Sequence, residues 1–337
     1  MPMPPTPDSR IRRSRRGPAL AAVLAATALA AAPSASADPA ASDARGAAAR
    51  PTVVLVHGAF ADGSSWAGVV QRLQRDGYRV IAPANPLRGL PGDSAYIASV
   101  LRSIPGPIVL VGHSYGGAVI SNAAFGNAHV KALVYIAALV PDQGETLSVL
   151  SARFPGSALN AALKSVPFTK PDGTTGTDLY IKPDRFRAVF AASLPPVSTA
   201  VLAATQRPIN AAAFADKAGP AAWKTIPSWA LVATRDRAIA PALERFEAGR
   251  AHSHTIEVDS PHLAMVAHPE AVTTLILDAA RSQAPAAAPA GTKADTLADT
   301  GATNRIVAGA ACAAVLAGAT LLGVARRRRP TGPPADR

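Results

Sequence analysis

The chain has 337 residues, 49% of them hydrophobic, and a formal net charge of +12 at pH 7. That length and apolar content support one large α/β domain or two small ones. The charge excludes less than its size suggests: arginines 10, 12, 13, 15 and 16 and arginines 305, 326–329 and 337 lie at the two ends, and no basic patch interleaved with aromatics marks a nucleic-acid module. Cys312 is the only cysteine, so the centre of the chain holds no disulfide, no Cys-ligated metal and no Cys nucleophile.

The N-terminus runs from Arg10-Ile11-Arg12-Arg13-Ser14-Arg15-Arg16 into an apolar stretch, Pro18 to Ala32, and then Ser36-Ala37-Asp38. A positive segment, a short apolar segment and an Ala-x-Ala site predict a secretory signal peptide over 1–37, cleaved after Ala37. Arg15-Arg16 hints at the twin-arginine route, but the hydrophobic residue expected at Pro18 or Ala19 is weak, so the route stays open. Residues 38–50 read as a short linker.

The β-rich run Thr52 to Val56 predicts a buried strand, with His57-Gly58-Ala59-Phe60 at its C-terminal end. Ser65 to Asp76 reads as a helix, with Trp66, Val69, Val70 and Leu73 on one face and Gly77 as its stop. A strand from Tyr78 to Ala82, a loop from Pro83 to Gly92 and a helix capped by Asp93 and ending near Ser103 follow. Pro107 to Val111 is the next buried strand. Gly112-His113-Ser114-Tyr115-Gly116 comes at once after it, then a helix over Ala118 to Ala124 and a strand from Val130 to Val140. This alternation predicts a mostly parallel sheet with helices on both faces.

The rhythm breaks over residues 141–225, which read as a small helical cap with pieces at Arg185 to Ala192 and Pro208 to Ala213. It resumes with a strand at Ser228 to Thr234, a helix from Pro241 to Ala251 and a strand at His254 to Val258. The last helix starts at Met265 or Pro269 and ends at Ala280. One α/β domain is therefore expected over 51–281, with a Pro/Ala-rich spacer at 282–296.

The strand, the tight Gly-x-Ser-x-Gly turn and the helix together carry chemistry. The turn holds the Ser114 hydroxyl proud of the sheet at a helix N-terminus, and Gly112 and Gly116 allow strand and helix to approach. A serine hydroxyl is a weak nucleophile that needs a base, and the base needs an orienting acid. Asp236 follows the strand ending at Thr234, and His262 follows the strand ending at Val258, so acid and base come in order at strand ends. Asp142 is the rival acid; Asp259 is too close to His262 along the chain to orient it. His268 reads as a cap or surface residue, and His129, His252 and His254 as exposed. The amides of Ala59 and Tyr115 are the expected oxyanion donors, with Phe60 as fallback. His57 is expected to brace its loop and His113 to pack beneath Ser114. Phe60 and Trp66 are candidates for the substrate pocket, with a core role equally open.

Val56-His57-Gly58-Ala59-Phe60 with Trp66, Gly112 to Gly117, Pro141-Asp142-Gln143-Gly144-Glu145, Ala233 to Arg237 and Ser260-Pro261-His262-Leu263 occur in that order. In this the chain resembles the α/β-hydrolase superfamily, and within it the branch of small-ester esterases and hydroxynitrile lyases. The resemblance implies a carboxylic ester hydrolase with a small apolar pocket under a cap, and neither cofactor nor metal. The plant lyases of that branch carry Lys directly after the catalytic His, where this chain has Leu263. They carry Thr where the esterases have Gly, here Gly58. Both positions favour ester hydrolysis over cyanohydrin cleavage; perhydrolysis and a non-catalytic ligand-binding module are the other readings.

At the C-terminus, Leu297-Ala298-Asp299-Thr300-Gly301 precedes an uncharged apolar run, Ile306 to Ala325, and Arg326 to Arg329. The run is long enough to span a bilayer with the arginines on the cytoplasmic side. Together the three parts at 297–337 resemble the Leu-Ala-x-Thr-Gly sorting signal of actinobacterial sortases. The resemblance implies cleavage between Thr300 and Gly301 and attachment of Thr300 to peptidoglycan, with sortase and the wall as partners on a Gram-positive cell. A plain transmembrane anchor is the alternative, and either places the domain outside the cytoplasmic membrane.

Overall fold

The computed structural model describes residues 50–282. The expected signal peptide, the linker up to 49, the spacer from 283 and the sorting signal with Thr300 and Gly301 lie outside the described residues. Among the described residues, no helix is long and apolar enough to cross a membrane.

The described residues open with β1 (Thr52–Val56), a 3-10 turn (Gly63–Trp66) leading into α1 (Ala67–Arg75), and β2 (Val80–Ile81). It continues through α2 (Leu90–Arg102), β3 (Ile108–His113), α3 (Tyr115–Ala123) and β4 (Val130–Ile136). The insertion contains α4 (Leu147–Ala152), α5 (Leu159–Ala162), β5 (Leu163–Thr169), β6 (Thr175–Ile181), α6 (Pro183–Phe190), α7 (Pro196–Thr205), β7 (Ile209–Asn210) and α8 (Ala212–Ala215). Then come β8 (Ser228–Ala233), α9 (Pro241–Arg250), β9 (His254–Val258), α10 (Ala264–Ala267) and α11 (Pro269–Arg281).

Six strands form one sheet in the order β2-β1-β3-β4-β8-β9, and every neighbouring pair is parallel. Every residue of β1, β3 and β8 is buried. Parallel strands covered on both faces read as continuous apolar runs rather than as alternation, which is why these segments stand out in the sequence. From β1 the chain adds β2 on one side and then builds β3, β4, β8 and β9 on the other. Such a reversal of direction places the ligand-binding region at the C-terminal ends of β1 and β3.

Several boundaries differ from the sequence reading. The second strand contracts to Val80–Ile81 at the sheet edge. The fourth ends at Ile136, because Ala137 turns to a positive φ of 44°. The helix expected to be capped by Asp93 already begins at Leu90, with Pro91 in its first turn, where the missing N–H costs nothing. Asp93 lies inside that turn, and its carboxylate accepts from the amides of Arg88 (3.0 Å) and Gly89 (3.3 Å).

The cap holds the helix expected at Arg185 to Ala192, as α6, and also a three-stranded antiparallel sheet, β5-β6-β7. The segment Pro208 to Ala213, expected as a helix, is instead β7 followed by α8: Ile209 and Asn210 pair with Leu179 and Asp178 of β6. The β5–β6 hairpin closes through Asp172-Gly173. Gly173 sits at φ 81°, the Lys170 amide donates to the Thr174 carbonyl at 2.8 Å, and Asp172 accepts from the Thr174 amide at 3.0 Å. Asp-Gly is a strong hairpin signal. Pro167, which would disfavour a central strand, is tolerated because β5 is an edge strand.

Candidate active site

Ser114 joins β3 to α3 at φ 53° and ψ −125°, a backbone conformation that non-glycine residues rarely adopt. The approach around it leaves no room for side chains. A Cβ on Gly112 would lie 2.6 Å from the Gly116 carbonyl oxygen, and one on Gly116 would lie 2.5 Å from that of Val56. The strain therefore persists because β1, β3 and α3 are packed to contact around the turn.

The loop after β1 closes on the same point. A Cβ on Gly58 would stand 2.6 Å from Ser114 Cβ and 2.8 Å from the His113 carbonyl oxygen. His57 braces this loop, as expected. Its Nε2 accepts from the Asn85 amide at 2.9 Å, its Nδ1 donates to the Gly58 carbonyl at 2.9 Å, and Asn85 Nδ2 donates to the His57 carbonyl at 3.0 Å. Burial lowers its pKa, so it is neutral in this role. The amide of Phe60, the fallback oxyanion donor, is already committed to the Arg207 carbonyl at 3.0 Å. The amides of Ala59 and Tyr115 have no acceptor among the described residues.

Asp236 and His262 come together as expected. His262 Nδ1 and Asp236 Oδ2 are 2.5 Å apart, and both side chains are buried. Asp236 Oδ1 accepts from the amides of Ala238 (2.6 Å) and Ile239 (2.9 Å), which fixes the carboxylate plane. His262 Nε2 is buried and makes no hydrogen bond, to Ser114 Oγ or to any other group among the described residues. Such hydrogen bonds commonly tighten only when substrate is bound. His113 ties the elbow to the His262 loop: its Nε2 donates to the His262 carbonyl at 3.0 Å, and the two rings are 4.7 Å apart. Burial, and then the neighbouring His262, hold His113 well below the usual histidine range, so it is neutral.

The rival acid is elsewhere. Asp142 pairs with Lys224 at 2.6 Å and does not meet His262. Asp259 is exposed and pairs with Arg235. His129, His252 and His254 are exposed, and His268 is half-buried at the start of α11. Among the described residues, no His, Cys, Asp and Glu side chains cluster in a way that could hold a metal ion.

Phe60 lines a narrow cleft beside the site with Asp62, Ser65, Phe186, Leu202 and Leu263. Trp66 does not: it is fully buried and meets the His113 ring edge-on at 6.4 Å, so its place is in the core beneath the elbow.

Two participants escaped the sequence reading. Phe190 of α6 lies on the His262 ring with centroids 4.7 Å apart, meets Phe60 edge-on at 6.0 Å, and accepts from the Leu263 amide at 3.1 Å. With Ser114 only 8% exposed, the cap covers the site. Asp93 takes the Tyr115 hydroxyl at 2.7 Å, anchoring the residue that follows Ser114. No local motif marks either residue, because each acts through a contact distant along the chain.

The profile of the alpha/beta hydrolase family matches residues 53–275. The chain belongs to the α/β hydrolase family. A carbendazim hydrolyzing esterase from Nocardioides sp. is 34% identical over 132 residues, which cover 33% of this chain and 54% of that protein. A pyrethroid hydrolase from Sphingobium wenxiniae is 30% identical over 159 residues, covering 42% of this chain and 55% of that protein. The chain thus spans about half the length of these two curated relatives. Among solved structures, polyneuridine aldehyde esterase superposes with a TM-score of 0.60 at 18% identity, covering 68% of this chain and 99% of the other. An extracellular α/β-hydrolase from a Paenibacillus species gives 0.56 at 19%, over 68% and 99%. At these identities the superpositions speak for the fold of this hydrolase alone.

Proposed function

We propose that this α/β hydrolase is an exported serine esterase that cleaves small carboxylic esters through Ser114, His262 and Asp236. One observation carries the reading. A buried histidine has its Nδ1 held at 2.5 Å by a buried aspartate and its Nε2 uncommitted, and both residues leave strand ends beside a serine on a strained turn. The names of the two curated relatives, an esterase and a hydrolase, support hydrolysis.

In this reading Ser114 Oγ attacks the ester carbonyl carbon while His262 Nε2 takes its proton. Asp236 holds the imidazole orientation and stabilises the imidazolium. The tetrahedral oxyanion accepts from the amides of Ala59 and Tyr115, worth about 3–4 kcal/mol per donor in comparable sites. Collapse breaks the bond to the alcohol oxygen, and His262 returns the proton to the departing alkoxide. Water, deprotonated by His262, then attacks the acyl group; the acid leaves and Ser114 regains its proton. Phe60, Phe186 and Phe190 favour small apolar acyl groups beneath the cap.

Gly58 and Leu263 separate this reading from cyanohydrin cleavage. No side chain fits at position 58, and position 263 carries a buried leucine in place of a cation. A panel of short-chain esters, assayed beside cyanide release from cyanohydrins and peracid formation, tests the choice. Ester turnover that disappears in Ser114→Ala supports hydrolysis. Cyanide or peracid as the dominant product would replace it, and binding without turnover would make the domain a ligand-binding module.

The two chain ends support export and attachment of Thr300 to peptidoglycan. Muralytic digestion should release a chain ending at Thr300. Extraction by detergent alone would instead indicate a transmembrane anchor.

A further inference from the structure

Next to Asp236 stands a carboxyl group with no part in the mechanism above. Glu244 lies in the first turn of α9 and is 3% exposed. Its Oε2 accepts from the Ala233 amide at 2.9 Å, and Ala233 in turn accepts from the Asp236 amide at 3.1 Å. Its Oε1 is buried and receives no hydrogen bond. The carboxyl lies within hydrogen-bonding reach of Asp236.

The charges around it leave an ionised Glu244 poorly compensated. Asp236 faces it from the loop after β8, and Glu247 adds a second acid from its own helix. Arg245, on the same helix, attracts Glu244 only weakly, because it is bonded first to Glu257 through two 2.7 Å contacts. Arg235 and Arg237 flank Asp236 in sequence but are exposed, and Arg235 is paired with Asp259. Among the described residues no cation forms an ion pair with Glu244. Two buried carboxylates in contact cannot both ionise at low cost, and an anionic Oε1 would be an orphaned acceptor. A proton on Oε1 resolves both problems, because it turns the orphan into a donor and Asp236 is the acceptor within reach.

We propose that Glu244 is held as a neutral carboxylic acid whose Oε1–H donates to Asp236, making it a positioning residue for the Asp236–His262 pair. Burial first, and then the charge of Asp236, push its titration well above the ordinary carboxylate range, in agreement. The acid fixes the second face of the Asp236 carboxylate. It also draws charge from it, which limits how strongly Asp236 favours a protonated His262. The kinetic consequence rests on the esterase reading; the protonation state does not.

The test compares wild type with Glu244→Gln and Glu244→Leu. Glutamine keeps an acceptor for Ala233 and a donor for Asp236, so kcat should stay within about threefold and the acid limb of the kcat/KM profile should not move. Leucine removes the donor: kcat should fall about tenfold with KM unchanged, and the acid limb should shift upward by roughly half a unit. Infrared difference spectra of wild type minus Glu244→Gln at neutral pH should contain a protonated-carboxyl band, with the signal of the other buried acid, Glu247, cancelling. Absence of that band, or a downward move of the acid limb in Glu244→Gln, would mean that wild-type Glu244 is ionised and would overturn the proposal. Because the infrared measurement needs no turnover and no folded leucine variant, it stands even if the esterase reading fails.

Discussion

The core and the cap are built differently. In the core, Asp236 and His262 follow β8 and β9, Ser114 follows β3, and the central strands pair over long sequence separations with no exposed residue in β1, β3 or β8. In the cap, β5 has no buried residue, its main partner β6 is next to it in sequence, and the helices are short. The core therefore sets the positions of Ser114, Asp236 and His262 through contacts that cannot shift independently. The cap is a thin, locally paired layer that touches the chemistry chiefly through Phe190. Substitutions in the core should change rate, and those in the cap should change which substrates enter.

The largest expected effect lies in the core. His262→Ala should lower kcat on a small ester by about 10⁴-fold with the fold intact by circular dichroism. Residual activity within tenfold of wild type would remove the base from the account. Next comes Gly58→Ala. The new Cβ would lie 2.6 Å from Ser114 Cβ, so the oxyanion loop must retreat. Steady-state kinetics should show kcat reduced about 10²-fold with little change in KM.

Phe190→Ala probes the other side of the contrast. The side chain is 1% exposed, so its removal should cost about 3 kcal/mol in denaturant unfolding. Small-ester kcat should hold within a few fold, while kcat/KM for bulky acyl esters relative to small ones should rise about tenfold. A collapse of kcat without a change in preference would erase the distinction between core and cap.

The smallest effect concerns the seam between the two regions. Arg250 of α9 bonds Glu145 at 2.9 Å and the Val140 carbonyl at 2.7 Å, and the buried Glu247 stands 3.8 Å from it. Burial pushes Glu247 up to about 8. Its folded value lies above its unfolded one, so its stabilising contribution is complete below the unfolded value and is lost as pH rises through about 8. Melting curves should show Glu247→Gln level with wild type near pH 5 and more stable by about 2 kcal/mol near pH 9. Parallel curves at both values would show the glutamate already ionised.

The same contrast explains what could be read from the sequence. The runs at 52–56, 108–113, 228–233 and 254–258 are long enough, and apolar or β-branched enough, to declare themselves as strands. Asp236 and His262 could be chosen because each follows such a strand at once. The cap gave weaker signals. Pro167 speaks against a strand unless the edge position of β5 is known, and Pro208 to Ala213 has helical composition but is drawn into pairing with β6. The Asp172-Gly173 turn was the one local signal of the hairpin. Trp66 has the helical spacing of its core neighbours, and only the packing beneath His113 decides between pocket and core. Phe190, Asp93 and Glu244 act through residues distant in sequence or folded back across a loop, so no spacing rule reaches them.

The central claim is that Ser114 is an activated nucleophile. The direct measurement is labelling of the folded protein with a fluorophosphonate, followed by peptide mass mapping. A single adduct on Ser114 is expected, absent in Ser114→Ala and formed far more slowly in His262→Ala. A folded wild-type protein that takes no label, or takes it on another residue, would contradict the claim.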